Sequence, residues 1–250
     1  MQALLPETLG LLPAALLIFA SFFTSGLTAA AGVGGGLLML ALMTYALPLF
    51  ALIPVHGLVQ LGSNAGRSWV QREHIDWRIT RLFLFGSIVG ALFAIFFVVR
   101  LPEAMLQIIL GVFILVMVWM KIPKITNASP AIVSAGGGLT TFASMFAGAT
   151  GPLVAVFLNN LFTEHKKIVA THGITMTIQH GFKLLVFGLA GFAFLEWVPF
   201  VCAMVLSGYL GTRVGTFFLN RLPERALKLV FKAVLTVAAI DLLRRGMAIF

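Results

Sequence analysis

Two polar stripes, one in each half of this 250-residue sequence, carry the residue types best suited to binding a small ion. His56, Gln60 and Asn64 are spaced four residues apart, and positions four apart share one face of an α-helix. His172 and His180 give the second half a similar edge of imidazole groups. Imidazoles and amides both donate and accept hydrogen bonds. A helix contact is the alternative for either histidine alone, but their repeated placement favours a binding role.

Lys183 adds a positive charge beside the second stripe. It lies within the apolar stretch 168–194, three residues after His180 and four after Gln179. A charge at the bilayer centre costs about 2.5–3.5 kcal/mol on insertion scales, so a lysine retained there is a candidate ligand for an anion. The alternative is a side chain that reaches out to the membrane interface.

Glycines and hydroxyl groups cluster where two apolar stretches are interrupted. The first interruption carries Thr28, Gly32 and Gly35, and the second carries Thr150 and Gly151. Glycine at membrane depth breaks a helix, and the freed backbone groups are tolerated only beside protein or a water-filled cavity. The N-terminal ends of broken helices point a positive dipole at anionic groups. We therefore expect both breaks to line a substrate site.

Composition requires these elements to be membrane helices. Hydrophobic residues make up 60% of the chain and charged residues 10%, whereas soluble domains have about 45–50% and 25%. Roughly 20 apolar residues span a bilayer. The sequence predicts an all-α integral membrane protein, a polytopic bundle of about 7–8 segments without a separate soluble domain.

An internal repeat joins the two breaks. The same offset, 116 positions, separates Gly32 from Gly148, Gly35 from Gly151, and the VHG motif at 55–57 from the THG motif at 171–173. Such self-similarity indicates a repeated structural unit. We predict two transmembrane repeats, residues 1–125 and 126–250, that form one membrane domain.

The basic residues predict that the repeats have opposite orientations. After the helix that carries His56, the first half has Arg67, Arg72, Arg78 and Arg81, whereas the counterpart of this loop at 191–197 contains no basic residue. In the next loop of each half this difference reverses, and the second half then carries more basic residues than the first. Because cytoplasmic loops collect Lys and Arg, this pattern favours inverted-topology repeats. Each repeat would start with a glycine-broken helix, re-entrant or discontinuous, followed by three spans; eight plain spans in parallel halves are the alternative.

Several functions are disfavoured by what the sequence lacks. Seven of its eight acidic residues lie at segment ends or in loops, and Asp241 alone lies within an apolar stretch, so a cation transporter is disfavoured. No catalytic motif is present, and Cys202 is the only cysteine, which excludes a thiolate metal cage. We predict no catalytic residue, metal or cofactor. The net charge of +9 is interpreted as a topology signal rather than as a nucleic-acid surface.

The chain resembles the sulfite exporter TauE/SafE family. The similarity rests on GLTAAAGVGGGLLMLALM at 26–43, PVHGLVQLGSNAGR at 54–67, a basic turn with Asp76 and Trp77, and a second copy of this plan from Gly138. The resemblance implies an exporter or permease for small organosulfur or sulfur oxyanions, such as sulfite or sulfonates, in the bacterial inner membrane.

Three functional classes stay open at this point. An anion transporter is favoured, and an integral membrane enzyme or a channel or partner subunit is the alternative. The expected partners are a small anionic substrate and the lipid bilayer. A homodimer is an option that the sequence does not decide.

Overall fold

A computed structural model describes residues 5–31, 34–98, 102–120, 129–218 and 224–249. These residues form ten α-helices and two short 3-10 helices, Arg72–His74 and Phe194–Trp197, with no β-strand among them. The α-helices are α1 (Leu11–Ala31), α2 (Gly35–Met43), α3 (Leu49–Val70), α4 (Trp77–Val98), α5 (Glu103–Trp119), α6 (Pro130–Ala147), α7 (Gly151–Leu161), α8 (His165–Leu189), α9 (Val198–Phe218) and α10 (Glu224–Met247).

The same order of elements occurs twice along the chain. Helices α1–α5 and α6–α10 each comprise a long helix, a short helix, a long third helix followed by a 3-10 turn, and two further helices. Helix α1 packs along α9 and α4 along α6, while the third helices α3 and α8 pack on each other, as do the fifth helices α5 and α10. Helices from both halves are therefore interleaved in one body. The predicted boundary between residues 125 and 126 lies outside the described residues.

Within the described ranges, three helical stretches are long and apolar enough to cross a membrane by themselves, namely Leu11–Thr28, Trp77–Val98 and Phe194–Val214. Large apolar side chains of α4, such as Phe85 and Phe93, are exposed on the outer surface, as expected for a helix that faces lipid. Helices α3 and α8 are just as long but carry the polar stripes. The chain is a membrane-embedded helical protein.

Glycines allow the close packing of α4 on α6 and of α1 on α9. A Cβ atom at Gly86 would overlap the Ser134 carbonyl, one at Gly90 would overlap the Gly138 carbonyl, and one at Gly211 would overlap backbone atoms of Phe22. Helices in lipid have no hydrophobic driving force to associate, so their packing depends on van der Waals contacts. Small residues allow the close approach that these contacts require.

Both glycine clusters interrupt a helix. Gly34, which precedes α2, has φ of 109°, and Gly148, which follows α6, has φ of 73°; positive φ values favour glycine because it has no Cβ. Helix α2 has 9 residues and α7 has 11. At 1.5 Å per residue these helices extend only about 14–17 Å, roughly half of a bilayer core of about 30 Å. Neither short helix can cross the membrane alone.

Candidate functional site

A polar cavity of about 50 Å³ lies where the two breaks meet the middle of α3 and α8. A buried water needs about 10–15 Å³ of such space, so the cavity has room for about three to five waters or one small ion. Its polar and glycine lining consists of Thr24, Ser25, Thr28, Gly34, Gly35, Gly36, His56, Gln60, Asn64, Arg67, Gly151, His172 and His180. Among the described residues, no carboxylate belongs to this lining, and Arg67 supplies its formal positive charge.

Two equivalent histidines hold the two short helices in place. His56 Nε2 lies 2.9 Å from the carbonyl oxygen of Gly36, at the start of α2. His172 Nε2 lies 3.1 Å from the carbonyl oxygen of Gly151, at the start of α7. A carbonyl can only accept, so both Nε2 atoms carry a hydrogen. His56 and His172 therefore each contact a short helix and also line the cavity. The sequence had offered these two roles as alternatives.

A histidine pair also presents unpaired nitrogen atoms. The rings of His56 and His180 have centroids 6.1 Å apart in an edge-to-face arrangement. Nδ1 of each ring is buried without a hydrogen-bond partner among the described residues. Buried polar groups of this kind are costly unless water or a ligand satisfies them. Both residues line the cavity, so the two unpaired atoms belong to residues of its wall.

Lys183 points into the protein rather than toward the membrane interface. Its side chain is fully buried, and Nζ donates a hydrogen bond of 2.6 Å to the carbonyl oxygen of Gly148. In a continuous helix that carbonyl would accept from residue 152, but Pro152 has no N–H to offer. Lys183 thus supplies the missing donor at the second break. A Cβ at Gly57 of α3 would lie 2.7 Å from Cδ of Lys183, so a larger residue at position 57 would force the lysine stem to shift.

Gln179 and Thr150 lie behind the cavity in a buried chain of hydrogen bonds. Thr150 Oγ1 donates to Gln179 Oε1 at 2.6 Å, and Gln179 Nε2 donates to Thr141 Oγ1 at 3.4 Å. Thr141 continues to Ser87 on α4 at 2.9 Å. This chain ties the start of α7 to α8, α6 and α4. Its amide and hydroxyl groups are already paired with one another.

Most of the residues that the sequence predicted as a site are brought together here. The residues that line the cavity are Thr28, Gly35, His56, Gln60, Asn64, Gly151, His172 and His180. Thr150, Gln179 and Lys183 are buried next to this group without belonging to the lining. Gly32 lies outside the described residues. Direct contact of any of them with substrate stays a prediction.

Arg67 is the functional candidate that the sequence reasoning overlooked, because it was counted only among the basic residues near a loop. It lies in the last turn of α3, lines the cavity, and donates through one guanidinium nitrogen to Asn64 Oδ1 at 2.5 Å. A signal for it was present in the sequence. Arg67 and Lys183 are 116 positions apart, the same offset that relates His56 to His172.

A comparison with known protein families gives the same family that the motifs of this sequence resemble. The family described as sulfite exporter TauE/SafE matches residues 17–242, nearly the whole chain. No curated protein matches, and no solved structure does. The family implies a membrane permease or exporter of sulfur compounds and is not an enzymatic one. The chain belongs to the sulfite exporter TauE/SafE family.

Proposed function

We propose that this chain is a multi-pass permease of the bacterial inner membrane that exports small sulfur oxyanions, such as sulfite or sulfonates. The observation that carries the proposal is the charge of the cavity between the two breaks. Arg67 and three histidines line it, and no carboxylate does in the part of the chain that the structure describes. Carboxylates are the usual ligands for transported cations and protons, whereas guanidinium and hydroxyl groups suit an oxyanion.

The size of the cavity supports a small substrate. Its volume of about 50 Å³ is far below the roughly 300–1,000 Å³ of pockets for drug-sized molecules. An ion of four or five heavy atoms suits it, and a long-chain sulfonate would require the cavity to widen. Sulfite and the shortest sulfonates are therefore the substrates to test first.

The arrangement of the halves supports transport by alternating access between inverted repeats. The same order of elements occurs twice, and the polar site lies between α3 and α8, the third helix of each half. In secondary transporters, substrate sites lie at the interface of two repeats and are formed by broken helices. Because helices of the two halves are interleaved, helix groups that each contain members of both halves would have to move against one another to expose such a site to each side of the membrane in turn.

Flux measured with the purified protein in liposomes tests this function. We expect saturable uptake of labelled sulfite, inhibited by methanesulfonate and unaffected by potassium or tetramethylammonium. Unlabelled sulfite trapped inside should accelerate entry of labelled sulfite, because a carrier exchanges its substrate whereas a channel does not. Uptake of cations alone, or sulfite uptake without acceleration by exchange, would contradict the proposed carrier.

Ligand-dependent stability offers a second test in detergent. A ligand present at about 100 times its dissociation constant adds roughly 2.7 kcal/mol to the free energy of unfolding. Sulfite or methanesulfonate should therefore raise the melting temperature, whereas choline chloride at equal ionic strength should not. Stabilisation by the cation alone would reverse the assigned sign of the substrate.

A further inference from the structure

We infer that Arg67 is the residue that binds the negative charge of the substrate, and that Asn64 is a positioning residue that holds Arg67 in place. The inference rests on the proposed anion transport. Arg67, rather than the lysine that the sequence singles out, would then make the cavity selective for anions.

The first argument is the absence of a protein counter-charge for Arg67. Its side chain is half-buried at the cavity. Among the described residues, Asp76 pairs with Lys167, and Asp241 pairs with arginines of its own helix. No described carboxylate pairs with Arg67. A partly buried charge in a membrane protein normally pairs with an opposite charge or lines a functional site, and an anion in the cavity would supply the missing charge.

The second argument is the way in which Arg67 is held. Asn64 is 2% exposed, and its Nδ2 donates to the carbonyl oxygen of Gln60 at 2.7 Å. Its Oδ1 accepts from Arg67, so both ends of the Asn64 amide are occupied. One edge of the guanidinium is fixed in this way. The other N–H groups form no hydrogen bond among the described residues and are free for an oxyanion, which arginine can bind in bidentate fashion.

The third argument is the contrast with Lys183, which occupies the equivalent position of the second half. Nζ of Lys183 is bonded to the Gly148 carbonyl, and Lys183 does not belong to the cavity lining. The two halves thus place a cation at matching positions, but only Arg67 faces the cavity in this structure. Arg67 is therefore the cation available to an entering anion.

Substitution of Arg67 tests the inference through binding rather than transport alone. The variants Arg67→Gln and Arg67→Lys are compared with Arg72→Gln, which changes an exposed arginine that lies over the Trp69 ring. Sulfite and methanesulfonate affinities are measured by calorimetry in detergent. Loss of a charge-assisted contact should weaken binding by Arg67→Gln on the order of tenfold to a hundredfold. Arg67→Lys should retain part of the affinity, and Arg72→Gln all of it.

A folded Arg67→Gln protein that binds both anions within twofold of the wild type would overturn the inference, while the proposed transport would stand. If the wild type binds nitrate or phosphate but no sulfur oxyanion, and Arg67→Gln loses that binding, the sulfur substrate is wrong and the role of Arg67 stands. A wild type that binds none of these anions overturns both.

A chemical rescue keeps the test decisive if Arg67→Gln fails to fold. Cys202 is the only cysteine, so Arg67→Cys can be placed in a Cys202→Ser background and modified at a single thiol. Aminoethyl methanethiosulfonate adds a positive group, and methyl methanethiosulfonate adds a neutral one. We expect anion binding to return only with the positive group. Equal binding after either reagent would refute a role for the charge.

Discussion

Replacing Lys183 with methionine should strongly reduce transport without unfolding the protein. The substitution keeps a flexible side chain of similar length, so the stem that packs at Gly57 is largely preserved. It removes the amine that bonds to the Gly148 carbonyl at 2.6 Å. That carbonyl then loses its donor at the second break, because Pro152 has no N–H to replace it.

The stability effects of this substitution oppose each other. A hydrogen bond from a charged donor contributes about 1.5–3 kcal/mol, and a buried carbonyl left without a partner costs about 1–3 kcal/mol. Removing a fully buried amine returns a desolvation penalty that is several kcal/mol for an ion. We therefore expect the free energy of unfolding to change by less than about 2 kcal/mol. The effect on function should be larger, since the break itself borders the cavity.

Sulfite flux in liposomes, measured at equal protein level, provides the assay. We expect Lys183→Met to reduce flux on the order of tenfold to a hundredfold, corresponding to a loss of about 1.5–3 kcal/mol at 1.4 kcal/mol per factor of ten. Lys166→Met changes an exposed lysine of the same helix and should leave flux unchanged. Wild-type flux in Lys183→Met would refute a role for this lysine at the break.

Affinity then distinguishes two ways in which Lys183 could act. If it works through the Gly148 carbonyl, the dissociation constant of sulfite should change by less than about threefold while flux falls. If it contacts the substrate, as the sequence predicts, affinity and flux should fall together. The position of Nζ outside the cavity lining favours the first outcome.

Two further predictions concern the 3-10 helices that precede α4 and α9, and the carboxylate of Asp76 at the start of α4. Cysteines placed at the exposed positions Glu73 and Glu196, in a Cys202→Ser background, should be labelled from opposite sides of the membrane, since the repeats are predicted to be inverted; labelling of both from one side would rule out that orientation. Asp76 is partly buried, which by itself would raise its pKa, but hydrogen bonds from Lys167 and the Ile79 amide, together with the charge of Lys167, hold the pKa below its usual value. The ionised Asp76 carboxylate therefore stabilises the folded protein at any pH above the pKa of the unfolded state, about 3.9. This stabilisation is lost as the pH falls through the lower pKa of the folded state. Asp76→Asn should accordingly lower the melting temperature slightly at pH 7, in keeping with a surface ion pair, and much less near pH 3; a difference that is independent of pH would exclude the ion pair as its cause.

Local pattern predicts much of the candidate site. The spacing of His56, Gln60 and Asn64 places them on one face of α3 whatever the rest of the chain does, because helix geometry alone sets that face. The breaks at Gly34 and Gly148 are equally local, since their positive φ values favour glycine. In the structure, the cavity lining includes His56, Gln60 and Asn64 together with Gly34 and Gly151 from the two breaks.

The partners of individual side chains could not be predicted in the same way. Lys183 bonds to a carbonyl 35 residues away, and His56 bonds to one 20 residues away. Periodicity gives the face of a helix but does not specify which break packs against it. For this reason the sequence supported two roles of Lys183 equally, reaching the membrane interface or binding substrate. It did not indicate that Lys183 caps a broken helix.

By itself, the sequence determined that the protein is embedded in the membrane, that two helices break at glycines, and that α3 and α8 carry polar stripes, because composition and short-range spacing fix these properties. Only the tertiary structure decided which cation faces the cavity. Arg67 and Lys183 occupy matching positions, but the fold holds Lys183 at the Gly148 carbonyl and directs Arg67, held by Asn64, to the cavity. The physical reason is that a side chain's partner depends on which distant backbone group lacks a hydrogen bond, and that is settled only when the helices pack.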